Sequence, residues 1–96
     1  GNLLLLYLSK SMSASNWFVY IVRCADTTLY TGATNNLEQR IQTHNSGQGA
    51  KYTRGRTPVE LVYSEKKTGR SAALAREYEI KQLSREEKLA LFDSSS

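Results

Sequence analysis

The sequence predicts a small α+β domain: a three-stranded antiparallel sheet flanked by helices, in the order β-β-α-(α)-β-α-α. Three observations carry that expectation. "WFVYIVRC" and "LYTGA" are two strand-like runs separated by a short polar turn. "VELVYSEK" alternates as a third. Helix-start chemistry then recurs at three places along the remaining chain.

Residues 17–24 are aromatic and β-branched, which favours an extended backbone. Ala25-Asp26-Thr27-Thr28 reads as the turn, because an Asp side chain bonds readily to its own nearby backbone. Gly32 ends the second strand. Thr34, Asn35 and Asn36 supply N-cap groups for a helix over about 36–45. "NSGQGAKYTRGRTP" is a Gly-rich connection, and the optional helix would lie within it. In the third strand the alternation puts Val59, Leu61 and Tyr63 on one face and Glu60, Val62 and Ser64 on the other. Gly69-Arg70-Ser71 reads as a turn ending in an N-cap for a helix over about 72–83. Ser84-Arg85-Glu86-Glu87 fits a capping box for a last helix reaching about Phe92.

Composition narrows the class. At 96 residues, 40% of them hydrophobic, the chain fits one small domain with a modest core. Thirteen Lys and Arg face nine Asp and Glu, and ten of the basic residues fall between Lys51 and Lys88 against six acids. That bias points weakly to an anionic partner such as nucleic acid. Cys24 is the single cysteine, which excludes an intrachain disulfide and a cysteine-based zinc site and suits a reduced, cytoplasmic setting. The run Leu3 to Leu8 is too short to span a bilayer and lacks the basic stretch of a signal peptide, so no membrane partner is expected. Residues 1–16 read as an appendage, disordered or foreign to the natural chain, residues 17–92 as the domain, and residues 93–96 as a disordered tail.

Several side chains stand out by type and spacing. Tyr20 and Tyr30 are placed on neighbouring strands of the hairpin. Leu37, Arg40, Ile41 and His44 share one helix face, and a face made only for a core would not include Arg and His. Lys51, Arg54 and Arg56 surround Tyr52 in the Gly-rich connection, a composition equally suited to solvated loop and to nucleic-acid contact. Taken singly, each residue has an ordinary explanation. The two tyrosines suit a cross-strand aromatic pair. Arg40 suits a solvated helix face, and His44 a surface or satisfied core position. Glu77 suits an ion pair with Lys81 four residues on.

Jointly they resemble a known family. "VYI" at 19–21 and "YTG" at 30–32 are similar to the two half-motifs of the GIY-YIG nuclease superfamily, with Val19 in place of Gly and Thr31 in place of Ile. "HNSGQGAKYTRGRTPVELVYSE" and "REYEIKQLSREEK" resemble its small single-domain bacterial branch, the YhbQ-like proteins. The resemblance covers roughly residues 17–92. It implies a metal-dependent endonuclease hydrolysing phosphodiester bonds in DNA, with Tyr20, Tyr30, Arg40, His44 and Glu77 as catalytic residues. Glu77 would be the metal ligand for Mg²⁺ or Mn²⁺. Arg40 would meet phosphate, Tyr20 would position or deprotonate water, His44 would relay that proton and Tyr30 would orient the reacting groups. Lys51, Arg54 and Arg56 would bind the nucleic acid. Catalytic members usually carry an Asn about a dozen residues after the Glu. Here that stretch reads "SREEKLALF", without one. Two alternatives therefore stay open: a nucleic-acid-binding module with feeble or no catalysis, and a subunit that takes its specificity from a protein partner. A place in DNA repair would follow from fold analogy alone.

Overall fold

Strand β1 (Trp17–Arg23) is the spine of the molecule, and the computed structural model describes residues 16–93 around it. β2 (Leu29–Thr34) and β3 (Glu60–Lys67) flank β1, both antiparallel, in the order β2-β1-β3. Between the strands and after them come α1 (Leu37–Asn45), the single-turn α2 (Lys51–Arg54), α3 (Arg70–Lys81) and α4 (Arg85–Phe92). The expected α+β order is the observed one, with the optional helix present as α2. The readings made for residues 1–15 and 94–96 lie outside the described residues. Among the described residues no helix is long and apolar enough to cross a membrane.

The turn and cap chemistry acts locally. Asp26 Oδ1 accepts from the Thr28 amide at 3.2 Å and from its hydroxyl at 2.6 Å, which closes the β1–β2 turn. Asn36 caps α1, its side chain accepting from the Gln39 amide at 3.1 Å. Ser84 and Glu87 form the reciprocal capping box of α4. Three expectations are corrected. Gly32 does not end β2, which keeps its pairing with β1 through to Thr34. α3 begins at Arg70 with Gly69 as its N-cap, so Ser71 lies inside the helix and caps nothing. The strict alternation of the third strand also fails. A bulge shifts the β1–β3 register between Ile21 and Val22, so Leu61 pairs with Val22 while Tyr63 pairs with Ile21. One extra residue, Val62, reverses the side-chain alternation, and Leu61 and Tyr63 fall on opposite faces.

The sheet has a helical layer on each face. Val19 and Ile21 point to one side and pack with Ala73 and Ile80 of α3, with Leu83, Leu91 and Phe92 around them. Tyr20, Val22 and Cys24 point to the other side, where Val59, Leu37, Ile41 and Tyr30 join them. The period-2 alternation of β1 is thus the device that separates the two layers.

Candidate functional site

The second layer contains the unusual chemistry. Tyr20 and His44 are both fully buried, at 0% exposure. The phenol oxygen lies 2.8 Å from His44 Nε2, and Arg40 Nε donates to that oxygen at 3.4 Å. His44 Nδ1 lies 2.8 Å from Thr53 Oγ1, and the Thr53 hydroxyl lies 2.9 Å from the Ala50 carbonyl oxygen. A continuous buried line therefore runs from Arg40 through Tyr20, His44 and Thr53 to the backbone just before α2.

Local sequence explains how these groups meet. Tyr20 faces α1 because it alternates with Val19 and Ile21. Arg40 and His44 share the α1 face of Leu37 and Ile41, so the apolar pair that docks α1 also carries the polar pair inward. Two glycines leave room. A Cβ on Gly32 would sit 2.5 Å from the Tyr20 hydroxyl oxygen, and one on Gly49 would sit 2.3 Å from His44 Nδ1 and 2.7 Å from His44 Cα. Asn45 ties α1 to the start of β3, accepting from the Val59 amide at 2.6 Å and donating to the Val59 carbonyl at 3.2 Å.

Tyr30 is partly exposed beside the buried pair. Its ring packs edge-on to His44 at 5.5 Å and stacks with Tyr52 at 5.8 Å. It does not pair directly with Tyr20: Tyr20 opposes Gly32, and Tyr30 opposes Val22. Glu77 belongs to α3, on the other layer, but α3 also packs against the edge strand β2. Glu77 Oε2 is 3.1 Å from Lys81 Nζ, and that ammonium lies 5.8 Å from the Tyr30 ring centroid. The expected helix ion pair is present, therefore, and it sits where the α3 layer comes round β2 to the phenols.

Burial sets the resting protonation. It pushes the Tyr20 phenol above its ordinary value, against the Arg40 hydrogen bond and charge, while Tyr30 and Glu77 add to the rise. Burial, reinforced by the Arg40 charge, pulls His44 below its ordinary value. The Tyr20 hydrogen bond holds Arg40 in its charged form, with smaller help from Tyr30. At neutral pH the set is a neutral phenol, a neutral imidazole and a guanidinium.

The basic connection is less uniform than its composition implied. Arg56 donates to Asp26 Oδ2 at 2.9 Å and to the Tyr52 carbonyl at 2.6 Å, and it stacks on the Tyr52 ring at 4.2 Å. It clamps α2 to the hairpin turn, and Asp26 offsets its charge. Arg54 Nε donates to the Gly49 carbonyl at 3.3 Å and is otherwise exposed, as is Lys51. Among the described residues no three His, Cys, Asp or Glu gather into a metal-sized group. A lone carboxylate still fits Mg²⁺, which keeps several waters and takes further oxygens from substrate phosphates.

Sequence reasoning missed Thr53, Gly49 and Asn45. Thr53 and Gly49 stood in a connection whose fold it did not resolve, and nothing local distinguishes Gly49 from Gly47 or Gly55. The spacing of Asn45 just after His44 was the one usable signal.

The sheet runs in the order β2-β1-β3, and two tyrosines, an arginine and a histidine gather on one of its faces. A profile of the GIY-YIG catalytic domain matches residues 16–90. The chain is 59% identical over 75 residues to a UPF0213 protein of Natronomonas pharaonis, covering 78% of this chain and 88% of that one. It is 58% identical over 79 residues to a UPF0213 protein of Clostridium perfringens, covering 82% and 85%. The solution NMR structure of a UPF0213 protein from Bacillus halodurans superposes with a TM-score of 0.54 at 45% identity, covering 83% of this chain and 85% of that one. The chain belongs to the GIY-YIG family, among its small UPF0213 members.

Proposed function

We propose that the protein is a metal-dependent endonuclease that hydrolyses phosphodiester bonds in DNA. The observation that carries this reading is the buried Tyr20–His44 hydrogen bond with the Arg40 guanidinium set against the phenol oxygen. Such a set suits phosphodiester hydrolysis. Arg40 presents a fixed positive fork to a phosphate. A phenol with burial-raised affinity for its proton is no base by itself, but a neutral imidazole in contact can take that proton. Tyr30, the partly exposed phenol, orients the water or the scissile phosphate, and Gly32 lets the chain approach closely. Glu77 would hold the divalent ion, Mg²⁺ or Mn²⁺, which would polarise the phosphate and stabilise the leaving oxygen. Lys51 and Arg54 are the free-facing cations that contact the nucleic-acid backbone, whereas Arg56 holds the loop in shape. The single buried Cys24 suits a reducing cytoplasm.

The test is cleavage of labelled single- and double-stranded DNA with Mg²⁺, Mn²⁺ or EDTA, parent against Glu77→Gln. The expected result is metal-dependent cutting that collapses in Glu77→Gln while DNA binding and folding survive. Arg40→Ala is expected to lower the rate by on the order of 10²–10³. Equal cutting by the parent and Glu77→Gln would overturn the metal assignment. A second reading rests on one observation: α4 (Arg85–Phe92) has no Asn. Salt-dependent DNA binding without cutting in any metal would favour that reading, a binding module, over the enzyme.

A further inference from the structure

We propose that Thr53 is a positioning residue that fixes His44 in one neutral tautomer, with the proton on Nδ1 and a bare Nε2 facing the Tyr20 hydroxyl. The catalytic part of this rests on the nuclease reading above; the tautomer does not.

The assignment follows from counting protons along the buried line. A threonine hydroxyl has one proton to give. That proton is directed either at the Ala50 carbonyl oxygen, 2.9 Å away and already bonded to the Thr53 amide at 3.0 Å, or at His44 Nδ1, 2.8 Å away. The Tyr20 end of the line decides between the two. Arg40 Nε–H already donates to the phenol oxygen, and His44 Nε2 lies 2.8 Å from it on the buried side. An Nε2–H would be a second donor to that oxygen and would leave the buried phenol proton without an acceptor among the described residues, which is costly. Nε2 is therefore bare and accepts from Tyr20, and the one N–H of the neutral imidazole is on Nδ1, donating to Thr53 Oγ1, whose own proton turns to the Ala50 carbonyl.

The arrangement also prepares one proton transfer. The Tyr20 O–H bond breaks, an Nε2–H bond forms, and the proton rests on His44 as imidazolium. Both ring N–H groups then have acceptors, the tyrosinate oxygen and Thr53 Oγ1, and the tyrosinate keeps the Arg40 hydrogen bond. No other group has to move. Gly49 makes the site possible, since any Cβ there would strike Nδ1 and push the ring from Thr53. Thr53 itself is fully buried, its hydroxyl set between His44 and the Ala50 carbonyl, which is why its role is positional.

His44 is the chain's single histidine, so its ring nitrogens can be read without assignment ambiguity. The experiment is long-range ¹H–¹⁵N correlation NMR on ¹⁵N-histidine-labelled protein at neutral pH, on the parent, Thr53→Val and Thr53→Ser. The parent is expected to show a protonated Nδ1 and an unprotonated Nε2. Thr53→Val keeps the shape and removes the acceptor, and its ring nitrogens should move toward the Nε2–H form or a mixture. Thr53→Ser should restore the parent pattern. An Nε2–H tautomer in the parent, or an unchanged Nδ1–H signature in folded Thr53→Val, overturns the proposal. Should Thr53→Val not fold, the parent spectrum alone decides the tautomer, and the serine variant, compared with Thr53→Ala, decides whether the hydroxyl sets it. Given an active parent, Thr53→Val should lower kcat on the order of 10–100-fold with little change in KM, and Thr53→Ser should recover it. Unchanged kcat in Thr53→Val would overturn the catalytic half. No cutting by any protein, with the parent tautomer as expected, would refute the nuclease reading and leave the tautomer assignment standing.

Discussion

The two faces of β1 are built on opposite principles. On one, Val19 and Ile21 meet Ala73 and Ile80, and stability comes from excluding water from apolar surface. On the other, Tyr20 meets His44, Arg40 and Thr53, and burial is tolerable only because each polar atom has a partner at a set distance. The first layer is forgiving of shape and intolerant of lost volume. The second is intolerant of any change in geometry. Its two glycines show this, because each is where a single extra carbon would meet the hydrogen-bonded pair. The lesson is that one strand carries both the structural layer and the chemical one, and the pleat keeps them apart.

Cutting into each layer in turn should break the comparison most visibly. Ile80→Ala removes buried volume from the apolar layer and is expected to cost about 4 kcal/mol, read as a lowered urea midpoint, with the His44 ring ¹⁵N shifts unchanged. Gly49→Ala should cost less, about 2 kcal/mol of overpacking, yet change those shifts. If Ile80→Ala moved the His44 signals as far as Gly49→Ala does, the layers would not be separate.

A second, somewhat smaller effect concerns the rim of the apolar layer. Arg76 of α3 forms a bidentate pair with Glu65 of β3, and Tyr63 and Lys67 also engage that carboxylate. Arg76 above all, against the cost of burial, lowers the Glu65 pKa from 4.5 to about 2. Because the folded value lies below the unfolded one, the contribution is complete above pH 4.5 and is lost as pH falls from 4.5 toward 2. The difference corresponds to about 3 kcal/mol. Unfolding by urea across that window should lose stability more steeply for the parent than for Glu65→Gln, and parallel curves would remove Glu65 from the account.

The smallest expected effect sharpens the contrast from the other side. Thr31 faces the apolar layer, paired across from Ile21, and its buried hydroxyl has no hydrogen-bond partner among the described residues. It is a polar atom under the wrong rule. Thr31→Val keeps the shape and should stabilise the fold by about 1 kcal/mol, seen as a raised Tm. A lowered Tm would mean that the hydroxyl has a partner in solution.

Much of this was legible before any coordinates. β1 and β2 announced themselves by β-branched and aromatic runs, and Asp26, Asn36 and the Ser84–Glu87 box did at close range what their residue types do in any chain. The pairing of Arg40 and His44 on the docking face of α1 followed from helical spacing. The bulge at Val62 was not legible, because the alternation of "VELVYSEK" is satisfied equally well without it and only pairing with β1 selects the shifted register. The start of α3 was misread because Ser71 is the better capping residue by type, whereas the helix begins earlier, at Arg70, with Gly69 as an N-cap that makes no side-chain hydrogen bond.

Local chemistry written along the chain thus determined the strands, the caps, the order of elements and the polar residues worth watching. Tertiary structure alone decided how those residues are used. It buried Tyr20 and His44 completely, brought Thr53 from a connection without recognisable pattern to the far nitrogen of the imidazole, set Arg56 against Asp26 and brought Lys81, the ion-pair partner of Glu77, to the Tyr30 ring. The physical reason is range. Propensities, caps and periodicity act over a few residues, whereas the protonation of a buried ring is set by desolvation and by partners from three separate segments, which meet only when the chain has folded.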